Sequence, residues 1–400
     1  MRRYRLAVLL HHPIHYHAPL MRRLAADAEL DVQVYFCFDH GVRQRRDGEF
    51  GVEYKWDIPL LDGYSHAFLP NWSPRRSTEP IIGVFNPGIW RRIRNGRFDA
   101  VIVHGYVSPT VWLAILAAWA SGTPVLMRGE STLLYDRSAW IRLVKRVFLR
   151  AVFAAVDSFL YIGTRNREFY ESFGIKSDRL AFVPYSVDNE SFFRLQAEDT
   201  DLRARTRASL AIAEGEPVIL FAGKLIERKR PMDLLQAYKA VVADHPEAHL
   251  VFVGEGADRP ELEAFVRASG LTRVHFVGFQ NRTKISAYYA GADVFVLPSR
   301  HDPWGLVVNE AMCFGLPVIA TGVVGCTPDL ISPGENGFVY QVGDVGTLTG
   351  YLRVLVADAP RRARMGRLSL DRIRRWSFAE CVAGIKAAVR AAQMSGAGVH

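Results

Sequence analysis

The chain has 400 residues, 49% of them hydrophobic and 12% aromatic, with 50 Lys and Arg against 41 Asp and Glu. That length asks for two domains of similar size, and the apolar content excludes a disordered chain. The net charge of +9 suits an anionic partner, but no zinc-finger or RNA-binding signature accompanies it, so nucleic acid is not expected.

The first predicted strand, YRLAVLL (4–10), runs into HHPIHYHAPL (11–20), with histidines at 11, 12, 15 and 17. No histidine pair there flanks a glutamate, and the next acid is Asp27, so a metal site is not expected. The stretch reads as the loop after strand one, with Ala18-Pro19 opening a helix. His15 and His17 then either meet substrate hydroxyls or serve as hydrogen-bonded scaffolding.

Further strands are predicted at 31–38, 99–105, 124–129, 158–163 and 180–185, with helical patterns between several of them. They are apolar on consecutive residues, as a parallel sheet covered on both faces requires. Residues 40–98 read as a loop-rich excursion. VWLAILAAWA (111–120) is half the length of a membrane span and reads as a buried helix. In 140–156, Trp140, Leu143, Val144, Val147, Phe148 and Ala151 share one helical face, expected to cover the sheet. Arg142, Lys145, Arg146 and Arg150 share the other, where they can meet the phosphates of an anionic membrane surface or an acceptor. Four cysteines without a CxxC pair and no signal-peptide pattern predict a cytoplasmic protein, at most peripheral on the inner face of a membrane.

Residues 186–215 are polar and read as a linker plus a lead-in helix. A second alternation follows, with strands at 217–224, 249–256, 274–279, 293–299, 317–321 and 337–341. The fold class is therefore α/β, two doubly wound Rossmann-like domains facing a cleft, with ligands beyond the carboxyl ends of the strands.

Two loops stand out. In SRHDPWGLVVNEAM (299–312), Asp302 and Glu310 flank the start of a helix whose free amides form an anion site at Gly305. Carboxylates there suit sugar or ribose hydroxyls, although an N-capping aspartate and an unrelated glutamate would look the same. In KLIERKRP (224–231), Lys224 and Lys229 straddle a turn before a helix and can neutralise a diphosphate, while Arg228 and Arg230 read as solvated.

Order and spacing of GKLIERK (223–229), FVGEG (252–256), YYAGADVFVLPS (288–299) and DPWGLVVNE (302–310) resemble the retaining glycosyltransferases of family 4, which have the GT-B fold. The resemblance implies an enzyme without metal or other cofactor that moves a sugar from a nucleotide-diphosphate donor to a glycan, lipid-linked or small-molecule acceptor. It implies an acceptor domain over 1–190, a nucleotide-sugar domain over 191–376, and a C-terminal helix and tail (377–400) returning to the first. Lys224 and Lys229 would hold the donor diphosphate, Glu310 the ribose, and Asp302 the donor sugar. Gly223, Gly254 and the Gly305, Leu306 and Val307 backbone would line the donor. Two positions depart from the family pattern: aspartate stands first in the E-x₇-E motif, and lysine replaces the arginine of G-R-L. The histidine expected after the strand PVLMRG is absent, and Arg128 and Glu130 stand there as acceptor-binding candidates or as an ion pair. The alternatives are a GT-B epimerase or phosphorylase and a non-catalytic nucleotide-sugar-binding protein. A dinucleotide oxidoreductase fits less well, since GEG lacks the third glycine.

Overall fold

The computed structural model describes residues 3–42, 45–46, 53–54, 56–77, 81, 83–134 and 139–396, without the side chains of 45–46, 53–54, 139–143 and 395–396. The chain divides into two compact units. Met1–Gln44, Ile58–Tyr185 and Phe378–His400 form the first; Arg45–Asp57 and Ser186–Ser377 form the second.

The elements up to residue 182 are β1 (Tyr4–Leu10), α1 (Ala18–Ala25), β2 (Leu30–Phe36), a ribbon of β3 (Arg45–Arg46) and β4 (Glu53–Tyr54), β5 (Ser65–Phe68), α2 (Ile89–Gly96), β6 (Ala100–His104), α3 (Pro109–Trp119), β7 (Val125–Arg128), α4 (Ala139–Ala154), β8 (Ser158–Tyr161), α5 (Thr164–Glu171) and β9 (Leu180–Phe182). The seven-stranded sheet of the first unit runs β5-β2-β1-β6-β7-β8-β9, with parallel pairing throughout. Among its described residues, the excursion over 40–98 has more regular structure than its sequence implies. It holds the edge strand β5 and the helix α2, whose Ile89 and Ile93 are buried. Four residues suffice for an edge strand and two apolar positions anchor a short helix, too few for a periodic signal.

Helix α4 does not bury the apolar face predicted for it, although Arg146 and Arg150 are exposed as expected. Leu149, Phe153 and Val156 are buried, whereas Val144 is 51%, Val147 65% and Phe148 38% exposed, and Ala151 is exposed too. Both stripes are apolar and a sheet covers only one. The stripe carrying Phe153 wins because that ring meets Phe159, Phe169, Tyr170 and Phe173 at 5.0–6.4 Å. Lys145 turns inward over the Tyr106 and Phe169 rings. The side chains of Trp140, Arg142 and Leu143 lie outside the described residues. Helix α3 is likewise only half covered: Val111, Ala114, Ile115 and Ala118 are buried, and Leu116 and Trp119 are exposed.

The second unit contains α6 (Asn189–Glu198), α7 (Leu202–Ser209), β10 (Val218–Ala222), a 3₁₀ turn (Glu227–Lys229), α8 (Pro231–Val241), β11 (His249–Val253), α9 (Arg259–Ala268), β12 (Val274–Phe276), α10 (Arg282–Gly291), β13 (Val294–Leu297), α11 (Leu306–Cys313), β14 (Val318–Thr321), α12 (Thr327–Leu330), β15 (Gly337–Tyr340), α13 (Val345–Ala357) and α14 (Ala359–Ile373). Its parallel sheet runs β12-β11-β10-β13-β14-β15. Residues 186–215, read as linker and one helix, form both α6 and α7. Gln196 donates to the Cys313 carbonyl at 3.0 Å, which fastens α6 to the end of α11. The last helix, α15 (Phe378–Gly396), packs on α1, β8 and β9 of the first unit.

In each sheet the strand order reverses beside the first strand, between β1 and β6 and between β10 and β13. Loops leaving the carboxyl ends of these pairs diverge and open the crevice where doubly wound sheets bind ligands. They are HHPIHYH and the loop after His104 in one unit, GKLIERK and SRHDPWG in the other.

Candidate active site

In the second unit, the loop after β10 begins at Gly223, whose N–H donates to the Val253 carbonyl at 2.9 Å. Lys224 follows, half-buried, and the 3₁₀ turn ends on Lys229. The Lys229 ammonium donates to the Asp302 carboxylate, with both side chains largely buried. Asp302 is held in turn by its backbone, whose carbonyl accepts from the Gly325 N–H at 3.0 Å. Arg230 is not simply solvated as its sequence context implies. It pairs with Asp233 at the start of α8.

Gly305 stands at the N-terminus of α11 with φ +93. A side chain there would be strained and would press on Val324, 2.9 Å from an ideal Cβ. Leu306 and Val307 are the first residues of the helix and half-buried. One turn on, Glu310 is only 7% exposed. Tyr289 of α10 donates to its Oε2 at 2.9 Å. Burial pushes the Glu310 carboxyl upward, while the Arg282 charge and the Tyr289 hydroxyl oppose that shift. Trp304 anchors the loop: it is buried, donates to Asn309 at 2.9 Å, and packs on Trp376. Gly254 also has a packing task. A Cβ there would sit 1.9 Å from the Gly223 carbonyl oxygen, so this glycine lets the loops after β10 and β11 touch.

In the first unit, the His11 and His12 Nδ1 atoms are 3.2 Å apart, and the His12 ring lies 5.1 Å from that of His40. His17 occupies the N-cap position of α1 without capping it, its ring 5.1 Å from that of His104 at the end of β6. Burial, then the neighbouring imidazoles, pull His12 down to about 3; burial, then Arg128, does the same to His17. His15 packs edge-on against Tyr16. Arg128, at the end of β7, donates to the Pro184 carbonyl at 3.0 Å and lies over the Tyr185 ring. Tyr185 donates to Glu130 at 2.5 Å. Tyr185 thus touches both residues that the sequence offers as acceptor-binding candidates.

Residues 203–369 match the family model for glycosyl transferases group 1, and residues 14–186 match that for a glycosyl transferase 4-like domain. A GDP-mannose-dependent alpha-(1-6)-phosphatidylinositol monomannoside mannosyltransferase of Mycolicibacterium smegmatis is 31% identical over 64% of this chain and 69% of its own. The chain belongs to the group 1 glycosyltransferases. Sulfoquinovosyl transferase SQD2 of Arabidopsis thaliana is another relative of this glycosyltransferase family, 33% identical over 48% of the chain and 36% of its own length. Across four curated relatives the matched stretch spans between 36% and 58% of their lengths. Among solved structures, HepE from Anabaena in complex with UDP superposes with a TM-score of 0.74 at 17% identity, over 98% of this chain and all of that one. The fold of this glycosyltransferase is GT-B.

Within the second unit of this group 1 glycosyltransferase, the motif residues fall on the loops at one end of the sheet. Lys229 meets Asp302, and Glu310 projects from the helix that Gly305 begins. Tyr289 and Arg282 escaped the sequence reading. Tyr289 lies in the quoted YYAGAD segment, but nothing in its spacing announces that its hydroxyl reaches a glutamate 21 residues on. Among the described residues, no group of three or more His, Cys, Asp or Glu is placed to hold a metal ion.

Proposed function

We propose that the protein is a retaining, metal-independent glycosyltransferase that moves a sugar from a nucleotide-diphosphate donor to a glycan, lipid-linked or small-molecule acceptor. The observation that carries this reading is the Lys229–Asp302 pair beside the helix that starts at Gly305 and bears the buried Glu310. An ammonium fixed by one carboxylate keeps two N–H donors for phosphate oxygens. Together with Lys224 and the first amides of α11, it stabilises charge growing on the leaving diphosphate. Glu310, kept in place by Tyr289, accepts the ribose hydroxyls, and Asp302 stands where the donor sugar would lie.

In this reading the bond from the anomeric carbon to the diphosphate oxygen breaks as the acceptor hydroxyl enters on the same face. The departing phosphate takes the acceptor's proton, so no second carboxylate across the sugar is required. The protein supplies position and electrostatics. His15, His17, Arg128 and Glu130 of the first unit are assigned to the acceptor.

The name of the mannosyltransferase relative and the UDP bound to HepE set the donor panel. UDP-, GDP- and ADP-sugars are screened by thermal shift, where a ligand at a hundred times its dissociation constant adds about 2.7 kcal/mol. Transfer with the best donor should survive excess chelator, and the product should keep the donor's anomeric configuration by NMR. The reading is overturned if no nucleotide sugar raises the melting temperature.

A further inference from the structure

We infer that the outer face of α2, α3 and α4 docks on an anionic lipid bilayer. Helix α3 packs against α2 and reaches α4 through Trp112, whose ring lies 5.5 Å from Phe148. Its outward residues are apolar, with Leu116 52% and Trp119 76% exposed. Beside them, α4 presents the stripe that the sheet leaves uncovered, Val144, Val147 and Phe148. Five large apolar side chains on adjoining helices are more than the scattered exposure of an ordinary surface.

The charge on these three helices has one sign. Arg91 and Arg94 are exposed on α2, Arg146 and Arg150 on α4. None of the three helices contains an aspartate or glutamate. A bilayer surface offers phosphates to such a rim and an acyl boundary to its centre, and long arginine stems reach phosphates while apolar neighbours sink. Trp119, at the end of α3, has the amphipathic ring that settles at that boundary. A second copy on the same face is disfavoured, because a two-fold contact would set Arg91, Arg94, Arg146 and Arg150 against their own equivalents.

This assignment does not rest on sugar transfer, and its test needs none. The full chain is sedimented with vesicles of phosphatidylglycerol and phosphatidylcholine in equal parts, and with phosphatidylcholine alone. Binding should favour the anionic vesicles by at least about tenfold and weaken in high salt. Each cation near the surface contributes about fivefold, ~1 kcal/mol, so R146Q with R150Q should lower the partition about 25-fold. Trp119→Ala with Val147→Glu should lower it without shifting the melting temperature, since both side chains are exposed. Equal binding to both vesicle types overturns the proposal, as does wild-type partition by both double variants. A wild-type dimer that Val147→Glu dissociates also overturns it, because the face would then belong to a second copy.

Discussion

A lysine ammonium has three N–H donors, and Asp302 occupies one of those on Lys229. In the proposed reading, the aspartate, one methylene shorter than the family's glutamate, still reaches that cation and orients it toward the diphosphate. Lys229→Ala and Lys224→Ala should each lower turnover about 10²–10³-fold, the usual loss of a preorganised stabilising group. Steady-state kinetics with an unaltered melting profile checks this, and near-normal turnover in both removes the diphosphate assignment. Tyr289→Phe should act differently, raising the donor KM about fivefold with kcat little changed, because a lost hydrogen bond of ~1 kcal/mol loosens Glu310 without touching the leaving group. The neighbourhood of Lys229 and Asp302, and the helix that carries Glu310, were legible because short motifs fix them along the chain. Tyr289 was not, since its contact exists only once α10 and α11 pack. His12 and His17 show the same limit, for composition cannot say that burial holds their imidazoles neutral. His12 and His17 titrate near 3 in the fold against about 6.5 in the unfolded chain. Between those values the unfolded state binds more protons, so their contribution is intact above pH 6.5 and stability falls as pH drops toward 3. Urea titrations at neutral and mildly acid pH should show a shallower loss in His12→Gln and His17→Gln than in the wild type.

Helix α4 carries two apolar stripes on nearly opposite sides, roughly 150° apart at 3.6 residues per turn, and periodicity alone could not choose between them. Tertiary packing chose: Phe153 enters an aromatic cluster with Phe159 and Tyr170, whereas Val147 faces outward. Phe153→Ala should therefore cost about 3–5 kcal/mol, as a large buried ring does. Val147→Ala should stay within about 0.5 kcal/mol. Equilibrium denaturation of both variants decides it, and the opposite ranking would restore the face that the sequence pattern favoured. The parallel strands were far easier to read, since a run such as VILFAG is apolar on every residue only when helices cover both faces. The strand β5 and helix α2 were missed for the converse reason. At an edge, few side chains need burying, so little is written into the pattern.

At the scale of the whole chain, the two units differ in how they are assembled. The second is nearly continuous, Ser186–Ser377 with only Arg45–Asp57 added from elsewhere in the chain, whereas the first closes only when Phe378–His400 returns to it. The return is built into α15. Cys381, Ile385 and Val389 are buried, Lys386 bonds Glu29 at 2.6 Å and Asp27 at 3.1 Å, and Gly384 admits the Phe182 carbonyl where a Cβ would stand 2.0 Å away. Burying each such aliphatic side chain contributes about 1.5–3 kcal/mol, and a domain's whole stability is about 5–15 kcal/mol. A chain ending at Ser377 should therefore lose the cooperative melting of its first unit. A fragment of 186–377 keeps its core and the loops after β10 and β13, and should melt cooperatively at a temperature that a nucleotide diphosphate raises if those loops hold the donor as proposed. Calorimetry of the two truncations tests the asymmetry. A 1–377 chain that melts like the full protein would show that α15 is an ornament of the first unit, and the ion pairs and close glycine contact give the opposite expectation.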